Sequence, residues 1–209
     1  MASVLKWIVS ILVLAAIIAT NFLYRDILFN LSLEFIPVIQ QNADRTETNF
    51  WLYYSDVAYI VINYPVIALF YLILDQRFRS FYYLLAWTGN GFLMNLAKLS
   101  YHGPRPFWVG NDVMAIYCSS QFGNPSGHAM VTLGRPLLMW LDYQVSCKQG
   151  FYSQPLLKLL FFVIAIVYGL SVGYSRMFLG VHSLDQVIMG YLLGVWYTLT
   201  LHFCVREDL

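Results

Sequence analysis

The chain has 209 residues, of which 59% are hydrophobic and only 11% are charged. Soluble domains carry roughly 25% charged residues, so this composition excludes an ordinary water-soluble domain and points to the bilayer as solvent. A net charge of +1 without a basic tract gives no support to a nucleic-acid partner. The three cysteines, Cys118, Cys147 and Cys204, show no CxxC or Cys/His spacing, so neither a disulfide framework nor a zinc site is expected.

A spanning helix needs about 20 mostly apolar residues. In MASVLKWIVSILVLAAIIATNFLYRD the apolar run outlasts that of a cleaved signal peptide, so 7–24 reads as a retained signal anchor. Residues 25–55 read as a long loop whose apolar patch, 27–39, lies in the membrane interface. Spans are expected at 57–74 and 81–97, joined by the tight polar turn DQRFRS. A loop rich in Gly, Pro and polar residues, 98–128, leads to a shorter apolar stretch, 129–141, which carries Arg135 and Pro136. That stretch reads as a span, with a buried or re-entrant segment as the alternative. A polar connection at 142–155, a span at 156–172, a short polar segment at 173–186 and a span at 187–204 complete the chain. The expected fold is all-α, a polytopic membrane helical bundle with about six transmembrane helices and a single domain over 1–209.

Alternation of six spans has a consequence for the polar residues. With the N-terminus on one face, the opposite face collects Lys98 and Arg105, Ser126 and His128, Arg176, and His182. The N-terminal face holds Lys6, Arg77, Arg79, Lys148, Lys158 and Arg206. Setting site residues aside, only Arg25 and Arg45 oppose them, so the N-terminal face is expected to be cytoplasmic and the polar cluster lumenal or extracytoplasmic. The sequon Asn30-Leu31-Ser32 falls on the same side as the cluster.

Three blocks carry chemistry: Lys98-x6-Arg105-Pro106, Pro125-Ser126-Gly127-His128, and Ser175-Arg176-x5-His182. Three fixed cations suit a phosphate dianion, and the planar arginine fork matches its oxygens. Pro-Ser-Gly before an apolar helix presents free N–H groups at a helix N-terminus, a ready anion site. Two histidines beside it supply a nucleophile and a general acid at neutral pH. Because no carboxylate cluster is at hand to hold Mg²⁺, a route without metal or other cofactor is expected, with positioned cations stabilising the equatorial oxygens.

These blocks resemble the signature of the type 2 phosphatidic acid phosphatase superfamily, and the resemblance covers about 80–200. That superfamily includes lipid phosphate phosphatases, glucose-6-phosphatases, dolichyl-diphosphate phosphatases and soluble vanadium haloperoxidases. The resemblance implies that Lys98, Arg105, Ser126, Gly127 and Arg176 bind phosphate. It also implies that His182 attacks phosphorus to form a phosphohistidine, and that His128 protonates the leaving oxygen and then assists water. Many members carry an aspartate four residues after the nucleophile. Here that position is Gln186, with Asp185 one earlier, and either one shares a helix face with His182.

Less direct candidates are Arg135, on the helix face of His128; His102, in the loop; Asn95, one turn before Lys98; and the aromatics from Phe107 and Trp108 to Phe122, at the substrate entry or in an interfacial belt. The expected substrate is a phosphorylated lipid met among membrane lipids. The stretch from Arg105 through Cys118 to Met130 is also similar to glucose-6-phosphatases, which makes a small soluble phosphoester the alternative. A third reading is a non-catalytic subunit that keeps the fold.

Overall fold

The computed structural model describes residues 2–57, 63–73, 76–146 and 154–206. The described residues are helical with connecting turns and contain no strand. The helices are α1 (Ala2–Gln40), α2 (Arg45–Asp56), α3 (Asn63–Ala68), α4 (Arg77–Tyr101), the single turn α5 (Pro106–Val109), α6 (Gly127–Ser146), α7 (Pro155–Phe178) and α8 (Leu184–Thr200). Wider π-helical turns at Leu69–Ile73 and Leu201–Val205 prolong α3 and α8. Among the described residues, three segments are long and apolar enough to cross a bilayer on those grounds alone: Val4–Gln40, Pro155–Phe178 and Leu184–Val205. The expected span at 57–74 lies partly outside the described residues, as does the 142–155 connection, of which α6 takes the first part as far as Ser146.

The first correction concerns 25–55. No interfacial loop follows the anchor; α1 runs unbroken for 39 residues, about 58 Å at 1.5 Å per residue. The hydrocarbon core is about 30 Å thick, so the last turns of α1 stand beyond it. The patch read as interfacial is the part of α1 that props the polar end of the bundle. Ser32 is buried there, and its hydroxyl accepts a hydrogen bond at 2.9 Å from the first N–H of α8, at Leu184. Ser183, at the N-cap position, makes no side-chain cap of its own, so α1 caps α8 in its place. The sequon is thus part of a helix, and its serine is committed to a neighbouring one. Gln40, fully buried at the end of α1, donates to the carbonyls of Met114 (3.0 Å) and Phe178 (2.8 Å) and accepts from Met114 N–H (2.9 Å). It ties the loop after α5 to the end of α7.

The stretch at 129–141 is the middle of α6, a 20-residue helix that holds its course through Pro136. It packs chiefly on α8 and α7. Gly190 and Gly194 make the α6–α8 approach possible, because a Cβ on either would meet the carbonyls of Ser126 and Met130. Beside the proline, Thr198 of α8 donates to the Gly134 carbonyl at 2.8 Å. Arg135 does not reach the polar cluster and lies over the Trp87 ring, 5.6 Å from its centroid.

At the opposite end of the bundle, Asp142 closes the structure. Its buried carboxylate accepts from Arg79 Nε (2.7 Å), Tyr83 OH (2.9 Å) and Arg206 (2.7 Å), joining α4, α6 and the C-terminal turn. Breaking a buried pair by removing one partner costs about 3–5 kcal/mol. Both arginines keep about a quarter of their side-chain surface in contact with solvent, so part of that cost is relieved. Asp142→Ala is expected to destabilise the protein by about 2–3 kcal/mol, read as a lower midpoint of thermal unfolding in detergent.

Candidate active site

Helix packing brings four helix ends together with one loop. The end of α4 supplies Lys98, the loop and α5 supply Arg105 and Gln121, the start of α6 supplies Gly127 and His128, the end of α7 supplies Arg176, and the turn before α8 supplies His182. All seven line one cavity of about 370 Å³, within the range of small-ligand sites. Of the five phosphate-binding candidates and the histidines His128 and His182, only Ser126 does not line it. Ser126 is fully buried; its hydroxyl accepts from Ala129 N–H at 3.5 Å, and its own N–H donates to the Gln186 carbonyl at 2.9 Å. It caps α6 and fixes the backbone that presents Gly127. At Gly127 a Cβ would run into the Met94 sulfur, so glycine lets the chain pass close to α4.

The hydrogen bonds that hold the cations in place go to neutral acceptors. Lys98 Nζ donates to Gln121 Oε1 at 3.0 Å; Asn95, the sequence candidate for that bond, is exposed. Arg105 Nε donates to the Gln121 carbonyl at 2.7 Å, and its NH1 donates to the Val181 carbonyl at 2.8 Å. Arg176 NH1 donates to Ser55 Oγ at 2.9 Å, and its guanidinium lies 5.7 Å from the centre of the Tyr117 ring. Three buried positive groups around one opening, with the N-terminus of a 20-residue helix facing it, make a strong anion site.

The tautomer of His182 follows from a chain of bonds. Gln186 Nε2 lies 2.6 Å from the Pro104 carbonyl, which only accepts, so the amide nitrogen of Gln186 faces that way. Its oxygen therefore faces His182 Nδ1, 3.1 Å away, and Nδ1 carries the proton. Arg105, which only donates, stands 3.4 Å from Nε2. Both sides of the ring give the same answer: Nε2 holds the lone pair and faces the cations. Burial, then Arg105, Arg176 and Lys98, hold the His182 pKa well below its ordinary value, against the Gln186 bond. That shift favours the uncharged ring.

Gln186, then, is the residue that orients His182. Asp185, one position earlier, opens into a separate cavity of about 250 Å³ beyond Gln186, together with Arg25, Asp26 and Asn124. His102 also borders that second cavity; its ring packs edge-on against Phe122, with centroids 4.8 Å apart.

Two residues absent from the sequence reading bond to side chains of the first cavity. Asp56, the last residue of α2, approaches His128 Nε2 at 3.2 Å through Oδ1. The preceding Ser55 is fully buried and takes the bond from Arg176. The last turn of α2 reaches both because α2 descends along α7: Tyr54 OH bonds Ser171 Oγ at 2.7 Å, Tyr168 OH donates to the Tyr54 carbonyl at 3.1 Å, and Trp51 packs on Tyr174 and Phe178. His128 stands at the end of its helix, outside the apolar span. Burial, followed by the Arg176 and Lys98 charges, pulls its pKa down to about 4, while Asp56 pulls it upward.

Long apolar helices, a cationic cavity at one end of the bundle and two histidines inside it define a membrane protein with a built anion site. The family model for the PAP2 superfamily matches residues 79–208, and the chain belongs to that superfamily. A crystal structure described as the first transmembrane PAP2 type phosphatidylglycerolphosphate phosphatase, from Bacillus subtilis, superposes with a TM-score of 0.67. The two share 20% identity over 95% of this chain and 93% of the other, a likeness of fold. No curated protein matches the chain.

Proposed function

We propose that this membrane phosphatase hydrolyses a phosphomonoester or pyrophosphate of an amphiphile through a phosphohistidine on His182, without a metal ion. The observation that carries the reading is the lone pair of His182 Nε2, aimed into a cavity walled by Lys98, Arg105 and Arg176. A phosphoryl group needs charge neutralisation at its equatorial oxygens and an in-line nucleophile. The three cations and the α6 N-terminus supply the first, His182 the second. As the P–N bond forms and the P–O bond breaks, His128 gives a proton to the leaving oxygen. It then takes one from the water that attacks phosphorus and releases His182. Arg105, bonded to the loop on one side and 3.4 Å from His182 on the other, positions the ring as well as the phosphate.

The rim supports an amphiphilic substrate. Trp108, Val109, Met114 and Tyr117, all in the segment between α4 and α6, are substantially exposed, and Tyr117 also lines the cavity. Exposed apolar groups beside a polar cavity suit a lipid whose phosphate enters from the membrane face. The excess of Lys and Arg on the N-terminal face supports placing the cavity on the lumenal or extracytoplasmic side. The deciding experiment measures phosphate release by the purified protein in detergent micelles from a phosphatidate-type lipid, a polyprenyl diphosphate and glucose 6-phosphate. Faster turnover of the lipids is expected. Preference for the sugar phosphate would sink the lipid assignment, and no release from any of them would sink the catalytic one.

A further inference from the structure

One partner of the cavity's histidines comes from outside the family-matched region. α2 ends 23 residues before that region begins, yet its last turn meets two site residues, Arg176 through Ser55 and His128 through Asp56. We infer that Asp56 is the positioning residue for the general acid: it holds His128 with the proton on Nε2, so that Nδ1 is the atom that delivers the proton to the leaving oxygen. The inference rests on the phosphohistidine reading and deepens it.

The chemistry is fixed by what a carboxylate can do. An ionised carboxylate only accepts hydrogen bonds, so the 3.2 Å contact with Asp56 Oδ1 requires a proton on His128 Nε2. Asp56 is held in that form, because the His128 bond, with help from the Arg176 and His128 charges, lowers its pKa against the effect of burial. When His128 gains a second proton, that proton goes to Nδ1, and the resulting imidazolium is stabilised by the carboxylate behind it. His128 needs such help. The charged groups that bear on it from the surrounding helices are Lys98 on α4 and Arg176 on α7, both positive, and Asp56 on α2 is the negative group opposing them. Without a counter-charge, an imidazolium among these cations is strongly disfavoured.

The two histidines are thus oriented in complementary ways. His182 is held by a neutral amide, Gln186, which leaves the ring uncharged and Nε2 nucleophilic. His128 is held by a carboxylate, which favours the charged ring an acid must become. Two identical side chains in one cavity acquire different roles from their partners. In the first step, the P–O electron pair goes to the leaving oxygen, which takes the proton from His128 Nδ1. In the second, Nδ1 accepts a proton from the attacking water, and the P–N pair returns to His182. No reagent other than water is consumed.

A structural role for Asp56 and a positioning role predict different results. Asp56→Asn keeps the shape and can accept a hydrogen bond but loses the charge. In the full-length protein it is expected to lower turnover of an alkyl phosphate by about 100-fold. Turnover of p-nitrophenyl phosphate, whose leaving group needs no proton, should fall by less than about 5-fold. Because removing the carboxylate lowers the His128 pKa, the alkaline limb of kcat for the alkyl ester should move to lower pH, and Asp56→Glu should restore part of it. Equal losses on both esters, with no movement of the limb, would overturn the inference. Imidazole nitrogen NMR of His128 supplies a readout independent of turnover. The neutral ring should carry its proton on Nε2, and its pKa should fall in Asp56→Asn. A proton on Nδ1, or an unchanged pKa, overturns the inference whether or not phosphate is released. Conversely, a wild-type protein that shows the expected ring state but releases no phosphate leaves Asp56 as the partner of His128 and refutes the catalytic reading.

Discussion

Replacing His182 by alanine is expected to lower phosphate release on the order of 10⁴-fold or more, the scale seen when a covalent nucleophile is removed. The size follows from what the ring does here. It provides the bond to phosphorus, a task that the cations Lys98, Arg105 and Arg176 cannot take over, while His128 has Nε2 on Asp56. The same variant should take up no acid-labile, base-stable label from a ³²P-labelled substrate. His128→Ala should behave differently. It keeps the nucleophile and loses the proton donor, so turnover of an alkyl phosphate falls by about 10²–10⁴-fold, and a substrate with a good leaving group still labels His182. Retention of the label in His182→Ala would move the covalent step to another residue. Retention of full turnover would remove the phosphohistidine from the mechanism.

Most of the cavity was legible in the sequence because its parts are local patterns. Helix alternation alone places Lys98, Arg105, His128, Arg176 and His182 on one face, and the structure brings all five to one cavity. The choice between Gln186 and Asp185 was not legible. Both stand within one turn of His182, and the difference is set by the Pro104 carbonyl, 82 positions away in sequence. Asp56 was missed for a different reason. It precedes the second span and falls on the same face by the same alternation, but it carries no motif, and its partner is 72 positions distant. A rule that asks which acids sit at helix ends on the cationic face would have found it. The course of α1 was misread because apolar residues 27–39 suggested an interface. Nothing local announces that Ser32 and Gln40 have partners on other helices. Side chains whose bonds cross the bundle are written in pairs, and one sequence shows only one member at a time.

Arg105 makes the strongest case that shape, as well as charge, is required at this site. Arg105→Lys keeps the positive charge and is nevertheless expected to lower kcat/KM by about 10²–10³-fold, close to the loss in Arg105→Ala. The guanidinium directs Nε to the Gln121 carbonyl and NH1 to the Val181 carbonyl, with the same NH1 3.4 Å from His182 Nε2. These partners belong to the loop before α6 and to the turn before α8, so one planar group sets their spacing. An ammonium places its three donors around a single point and cannot reach both carbonyls at once. When the fork is lost, Gln121 is released at its backbone; Gln121 Oε1 is also the acceptor that holds Lys98. A second cation therefore loosens along with the first, and the loss spreads to KM and to inhibition by phosphate. His182, no longer flanked at Nε2, keeps its Gln186 bond, so the nucleophile survives in a poorer position. A Lys variant within about threefold of wild-type turnover would show that charge at this position is sufficient. It would then be the Gln186 bond alone that aims the ring.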